Sequence, residues 1–139
     1  MEDLVLPPIH ETGFVNALKR YAEGVGRRYG IKVHLKIQKD VSGLGNEKEI
    51  LVFRIIQEAL NNIVKHAHAK NAWVDMGQIQ QMIILAIRDD GKGFSLKRKK
   101  KANYGLYYMR ERTNMLDGRF AIESTINKGT KILISIPIG

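Results

Sequence analysis

The chain has 139 residues, 44% of them hydrophobic and 27% charged, and no cysteine; that suffices for one core without covalent staples and excludes disulfides and thiolate metal centres. No run approaches the roughly 18 apolar residues of a membrane-spanning helix, and Glu2 and Asp3 are acidic where a signal peptide would be basic. The formal charge of +9 invites a polyanion, whether nucleic acid, an anionic membrane or phosphate groups. Part of that excess is one run, Lys97, Arg98, Lys99, Lys100 and Lys101, which reads first as a solvated loop.

After Pro7 and Pro8, Thr12 is placed to cap a helix running to about Tyr29, with Phe14, Ala17, Leu18, Tyr21 and Val25 at helical spacing and Gly30 as its stop. The segment IKVHLKI, from Ile31 to Ile37, alternates as a half-buried strand, and Asp40 to Asn46 is turn-rich. Asn46 is then positioned to cap a second helix through about Ala67. Two strands, about Ala72 to Gln78 and Met82 to Arg88, read as a hairpin. A third helix is expected from about Leu106 to Leu116, stopped at Asp117 and Gly118. The closing strands, Arg119 to Ser124 and Lys131 to Ile136, flank a turn at Asn127, Lys128 and Gly129. Strands in pairs between helices predict an α+β two-layer sandwich, a mixed sheet covered by about three helices on one face. No internal repeat or clear domain boundary interrupts the chain, although residues 1–11 look like a linker end.

The second helix carries an unusual stretch, EALNNIVKHAHAKN, from Glu58 to Asn71. Asn favours caps and turns over helix interiors, so an adjacent pair of them needs a local reason. Val52, Phe53, Ile56, Ala59, Leu60, Ile63, Val64 and Ala67 share one side, while Arg54, Glu58, Asn61, Asn62, Lys65 and His66 gather on the other. That stripe offers a carboxylate for a proton or a water, an amide oxygen for a hard cation, and two donors for phosphate oxygens. A magnesium nucleotide wants this mixture; the solvated face of an amphipathic helix would also account for it.

In IRDDGKGF, Ile87 to Phe94, a strand runs into Asp89, Gly91 and Gly93. Glycines there let the backbone approach a ligand closely beside a carboxylate that could accept from an exocyclic amine such as adenine's. Alone, Asp-Gly is also an ordinary turn signal. In NYGLYYMRER, Gly105 precedes a helix opening at Leu106, which leaves free N–H groups for phosphate. Thr130 follows the glycine of the last turn.

In this order the motifs resemble the ATP-binding catalytic domain of bacterial two-component sensor histidine kinases, of the Bergerat-fold ATPase superfamily, over about Glu47 to the C-terminus. EALNNIVKHA is similar to that family's N box, DDGKGF to its first glycine box and YGLYYMRER to its second. The GLxxMRER pattern and the preceding LPPIHETGFVNAL resemble the subfamily that pairs with helix-turn-helix response regulators. The resemblance implies that Asn62 binds Mg²⁺, that Glu58 orients or deprotonates, and that Lys65 and His66 contact phosphate. It implies that Asp89 binds the adenine amino group in a wall shaped by Gly91 and Gly93 and supported by Thr130, and that Gly105 and Leu106 end a lid of about residues 95–104. The chain departs from the family pattern at Asn103, Tyr108 and Asn127, where many relatives carry glycine.

ATP and Mg²⁺ are thus the expected ligands, and a dimerisation domain bearing the phosphoacceptor histidine and a response regulator the expected partners, with no nucleic acid. His10-Glu11 imitates the acceptor pair, but no two long helices accompany it. His34 and His68 read as structural or solvated. The resemblance implies a linker remnant over residues 1–11, a catalytic domain over 12–139, monomeric in isolation, and a homodimeric intact kinase, with this domain cytoplasmic and an inner-membrane anchor elsewhere left open. Competing readings are an anti-sigma-type serine kinase, a gyrase-type ATPase, a pseudokinase that binds nucleotide poorly, and a basic nucleic-acid-binding module centred on Lys97 to Lys101.

Overall fold

Apolar alternation builds the sheet. In the computed structural model, which describes residues 9–38, 41, 43–93 and 104–138, strand β1 (Lys32–Ile37) turns Val33, Leu35 and Ile37 inward and Lys32, His34 and Lys36 outward. β2 (Asn71–Ile79) and β3 (Met82–Asp89) form the expected hairpin, and β4 (Arg119–Thr125) and β5 (Gly129–Pro137) a second one. The strand order is β1-β2-β3-β5-β4. Among the described residues only β1 and β2 pair in parallel, and such a pair requires a long crossover, which here is a helix.

That crossover is α3 (Gly45–Asn62). It lies with α2 (Phe14–Tyr29) and α4 (Tyr104–Met115) against one face of the sheet, and the core between the layers contains Leu18, Phe53, Ile56, Leu60, Leu85, Ile87, Met109 and Ile134, each at most 2% exposed. Burying each such side chain contributes about 1.5–3 kcal/mol. The result is the two-layer architecture with a mixed, mainly antiparallel sheet that the sequence predicts.

Three local expectations change. A short α1 (Ile9–Thr12) precedes α2, and Gly13, at a φ of 88°, breaks the chain between them, so Thr12 ends one helix instead of capping the next. Ile9, within the stretch read as linker, is 5% exposed and belongs to the core. α3 begins at Gly45 after Leu44 without a side-chain cap, so Asn46 already lies inside it. The same helix is α-helical only to Asn62 and continues as a wider π turn, Ile63–Ala67, before His68 takes a left-handed φ of 51°. Such turns are rare overall and are frequent at functional sites. The basic run Lys97 to Lys101, Asn103 and the expected lid up to residue 103 lie outside the described residues.

Candidate nucleotide-binding site

The last two turns of α3 and the π turn present the polar stripe. Glu58 and Asn62, four residues apart on one helical face, are both half-buried, while Lys65 and His66 are exposed on the π turn. Beneath them the helix is drier than its one-sided apolar pattern suggests: Ile55 and Gln57 are also buried, and the Gln57 Oε1 accepts a hydrogen bond from Arg54 at 3.0 Å.

The π turn meets the first glycine loop through its own end. The Ala67 carbonyl, one of the orphan acceptors at a helix C-terminus, receives the Lys92 N–H at 2.8 Å. Gly91 sits directly under that carbonyl: a Cβ there would overlap the Ala67 oxygen and lie 2.8 Å from its carbon. A Cβ on Gly93, at a φ of 61°, would overlap the Thr125 carbonyl oxygen, so the second glycine packs the loop against the β4–β5 turn. Asn127, in that turn, donates its N–H to the Lys92 carbonyl and holds a φ of 68°. Asn is among the few side chains that visit this region readily.

Asp89 closes β3 at the centre of this wall. It is 7% exposed, and its Oδ1 accepts the Gly91 N–H at 2.8 Å, while no hydrogen bond to its Oδ2 is made among the described residues. Burial holds its carboxyl above the ordinary aspartate value, opposed by the Gly91 hydrogen bond and reinforced by the neighbouring Asp90 charge. Asp90 behaves oppositely. Its Oδ1 accepts the N–H groups of Lys70 and Asn71 and its Oδ2 accepts the Asn71 side-chain amide, all at 2.9 Å, and the Asn71 amide first among these lowers its pKa. Asp90 therefore latches the loop to β2, and Asp89 lies at the end of β3 on the helix-facing side of the sheet.

This assignment has a pH signature. Because the folded pKa of Asp89 is raised, the native state holds its proton over the window between 3.8 and the raised value while the unfolded chain has released it, so this residue's stability contribution is lost as pH rises through that window. Asp89→Asn is expected to lack that component. Thermal melts of the ligand-free chain and the variant across the acid range should show the variant gaining relative stability with rising pH; parallel curves would contradict the buried charge.

The second glycine box closes on the N box. Gly105, in the first turn of α4, faces the Asn62 side chain so closely that a Cβ would come within 2.6 Å of its Nδ2 and 2.9 Å of its Oδ1. Because the far end of a flexible side chain can yield, Gly105→Ala is expected to leave the melting temperature nearly unchanged while displacing Asn62. The Mg²⁺ dependence of ATP affinity should then shrink by about tenfold in calorimetry. Leu106 is half-buried against the core and anchors the helix, while Tyr108 is exposed. The Arg110 guanidinium lies over the Phe120 ring and that of Arg112 near Tyr108.

Thr130 lies beside Asp89 in the β3–β5 register, with Ser124 beyond it on β4. Sequence reasoning missed Ser124, Asp90 and Asn71. For Ser124 the available signal was its place in the same hairpin, six residues before Thr130. His34 stacks on Trp73 on the opposite, open face of the sheet and hydrogen-bonds the Asn71 Oδ1 at 2.9 Å, consistent with a structural role; His68 is exposed at the helix end. Among the described residues no group of three or more His, Asp or Glu side chains gathers to hold a metal alone. A hard cation here would need oxygens of the ligand itself, with Asn62 the fitting protein donor.

The comparisons agree with this geometry. Residues 47–139 match the family described as histidine kinase-, DNA gyrase B- and HSP90-like ATPases. Over 136 residues the chain is 38% identical to the signal transduction histidine-protein kinase/phosphatase DegS of Brevibacillus brevis, and 32% identical to DegS of Bacillus subtilis. These alignments cover 98% and 94% of this chain, which spans only 35% of the length of each relative. The histidine kinase domain of the blue-light activated kinase from Erythrobacter litoralis EL346 superposes with a TM-score of 0.77 over 90% of this chain and 61% of that one, at 20% identity. A carboxylate and glycine wall, an asparagine on a facing helix and a matching family over most of the sequence converge: the chain belongs to the histidine kinase-, DNA gyrase B- and HSP90-like ATPase family.

Proposed function

We propose that the chain is the ATP-binding catalytic domain of a sensor histidine kinase, which binds Mg-ATP and transfers the γ-phosphoryl group to a histidine on a separate dimerisation domain for relay to a response regulator. The observation that carries the reading is Asp89, a buried carboxylate at the end of a strand with one oxygen tied to Gly91 and the other making no hydrogen bond among the described residues. The two DegS relatives, named as signal transduction histidine-protein kinases, support the phosphoacceptor class.

In this reading Asp89 accepts from the adenine amine, Gly91 and Gly93 let the wall approach the base, and Thr130 supports it. Lys65 and His66 bind phosphate, as does the backbone at Gly105 and Leu106. Asn62 holds Mg²⁺, which when bound supplies charge neutralisation at the phosphates. Glu58 orients the acceptor imidazole and takes its proton as the imidazole nitrogen bonds to the γ-phosphorus. The bond from that phosphorus to the bridging oxygen breaks and ADP leaves. Positioning does most of the catalytic work in such transfers.

Residues 12–139 form the catalytic domain and residues 1–11 the end of a linker docked through Ile9. The domain is cytoplasmic and monomeric alone, within a homodimeric kinase; no described helix is long and apolar enough to cross a membrane. The test is calorimetric titration of ATP with and without Mg²⁺, followed by supply of the relatives' dimerisation domain with labelled ATP. Saturable, Mg²⁺-dependent binding and label on histidine are expected. Steady ATP turnover by the chain alone, without transfer, would instead assign an ATPase with Glu58 as its base.

A further inference from the structure

Across β3, β5 and β4 the helix-facing side of the sheet is apolar in every register row but the last. Ile83 with Ile136, then Leu85, Ile134 and Phe120, then Ile87, Ile132 and Ile122 lie side by side across β3, β5 and β4. The next row is Asp89, Thr130 and Ser124. Register partners in antiparallel strands point to the same face, so all three polar groups join the nucleotide wall from neighbouring strands.

The Ser124 Oγ lies 2.7 Å from the Thr130 Oγ1 and 3.3 Å from the Gly129 carbonyl oxygen. Two hydroxyls in contact share one proton, and the direction of that proton sets what the other hydroxyl can do. If Thr130 donated to Ser124, Thr130 would offer a ligand only lone pairs. If Ser124 donates to Thr130, the Thr130 proton is released toward the cleft. Either hydroxyl can donate in the 2.7 Å contact, and the Ser124 bond to the Gly129 carbonyl is long at 3.3 Å, so a ligand acceptor that takes the Thr130 proton turns the Ser124 proton toward Thr130 at the cost of a weak bond.

We propose that Ser124 is a positioning residue for nucleobase recognition: by donating to the Thr130 Oγ1 it turns the Thr130 proton into the cleft, so that a donor stands beside the acceptor Asp89. This rests on the nucleotide-binding reading above. An acceptor next to a donor matches the order of adenine's amine and ring N1, directly or through one water. It opposes hypoxanthine and guanine, whose edge begins with a carbonyl oxygen and continues with an N–H. Ser124 touches no base itself; it acts through Thr130.

The experiment is calorimetric titration of the chain with Mg-ATP and with inosine triphosphate, using Ser124→Ala, Ser124→Cys, Ser124→Thr, Thr130→Val and the Ser124→Ala/Thr130→Val double variant, with melting curves as a folding check. Ser124→Ala is expected to weaken ATP binding about three- to tenfold and to narrow the preference for ATP over inosine triphosphate by a similar factor. Ser124→Cys, close in shape but a weak donor, should do the same, and Ser124→Thr should restore both values. In the Thr130→Val background Ser124→Ala should have no further effect. The inference is overturned if Ser124→Ala binds ATP as the unmodified chain does, if it weakens both nucleotides equally, or if its effect persists without the Thr130 hydroxyl. Failure of the unmodified chain to bind ATP would instead overturn the nucleotide reading, and this inference with it.

Discussion

Asp89→Asn is expected to lower ATP affinity by at least about 100-fold, or about 2.7 kcal/mol, in calorimetry. The substitution is almost isosteric, so its effect isolates hydrogen-bond polarity. In the unmodified chain one carboxylate oxygen serves the Gly91 N–H at 2.8 Å, and the other is available to accept. An asparagine can satisfy only one of those demands. With its oxygen toward Gly91, its NH₂ meets the incoming amine; turned around, it sets donor against donor at Gly91. A buried donor left facing a donor forfeits the bond and its desolvation together. The folded state should meanwhile survive, because the change removes a carboxylate whose charge burial disfavours. An affinity within threefold of the original would show that Asp89 does not read the ligand.

The second large effect is structural in origin. Gly91→Ala is expected to destabilise the domain by about 3 kcal/mol, a fall of roughly 10 °C in melting temperature, and to weaken ATP binding at least tenfold. The obstructing atoms are the backbone of Ala67 and not a side-chain tip, so they cannot rotate away. Relief requires the loop to withdraw from the π turn, which breaks the Lys92 to Ala67 hydrogen bond and carries Asp89 with it. Gly93→Ala adds a left-handed backbone to the same kind of overlap. A melting temperature within about 2 °C of the original would show that the loop does not depend on this approach.

The layers of the fold were legible because burial imposes a period. Val74, Met76, Leu85, Ile87, Ile132 and Ile134 alternate with outward residues and mark their strands without reference to partners. What periodicity does not encode is which strands become neighbours. The order that places β5 between β3 and β4 is decided by contacts between residues some fifty positions apart, such as Leu85 with Ile134. Caps were read too literally. Thr12 and Asn46 have capping chemistry, yet Gly13 and Gly45, at φ values of 88° and 77°, bend the chain next to them and decide where the helices start.

Within the site, Gly91, Gly93 and Gly105 were marked by residue type and by their order after the strand ending at Asp89, and each lies where the backbone approaches Ala67, Thr125 or the Asn62 side chain too closely for a Cβ. The π turn and Ser124 did not. One is imposed by closure against a loop more than twenty residues downstream, and the other acquires a role only through the strand beside it.

The π turn also bears on how this sequence can change length. A helix that widens for one turn has in effect absorbed an additional residue, and deleting one between Asn62 and Ala67 would let the segment relax to ordinary pitch without emptying the core. The repaired helix would have a carbonyl end about 1.5 Å short and rotated by roughly 100°, away from the loop that needs it. The fold therefore absorbs point changes at the exposed Lys65 and His66 far more readily than any change in residue count, and the segment behaves as a ruler whose length is set by the loop it must meet.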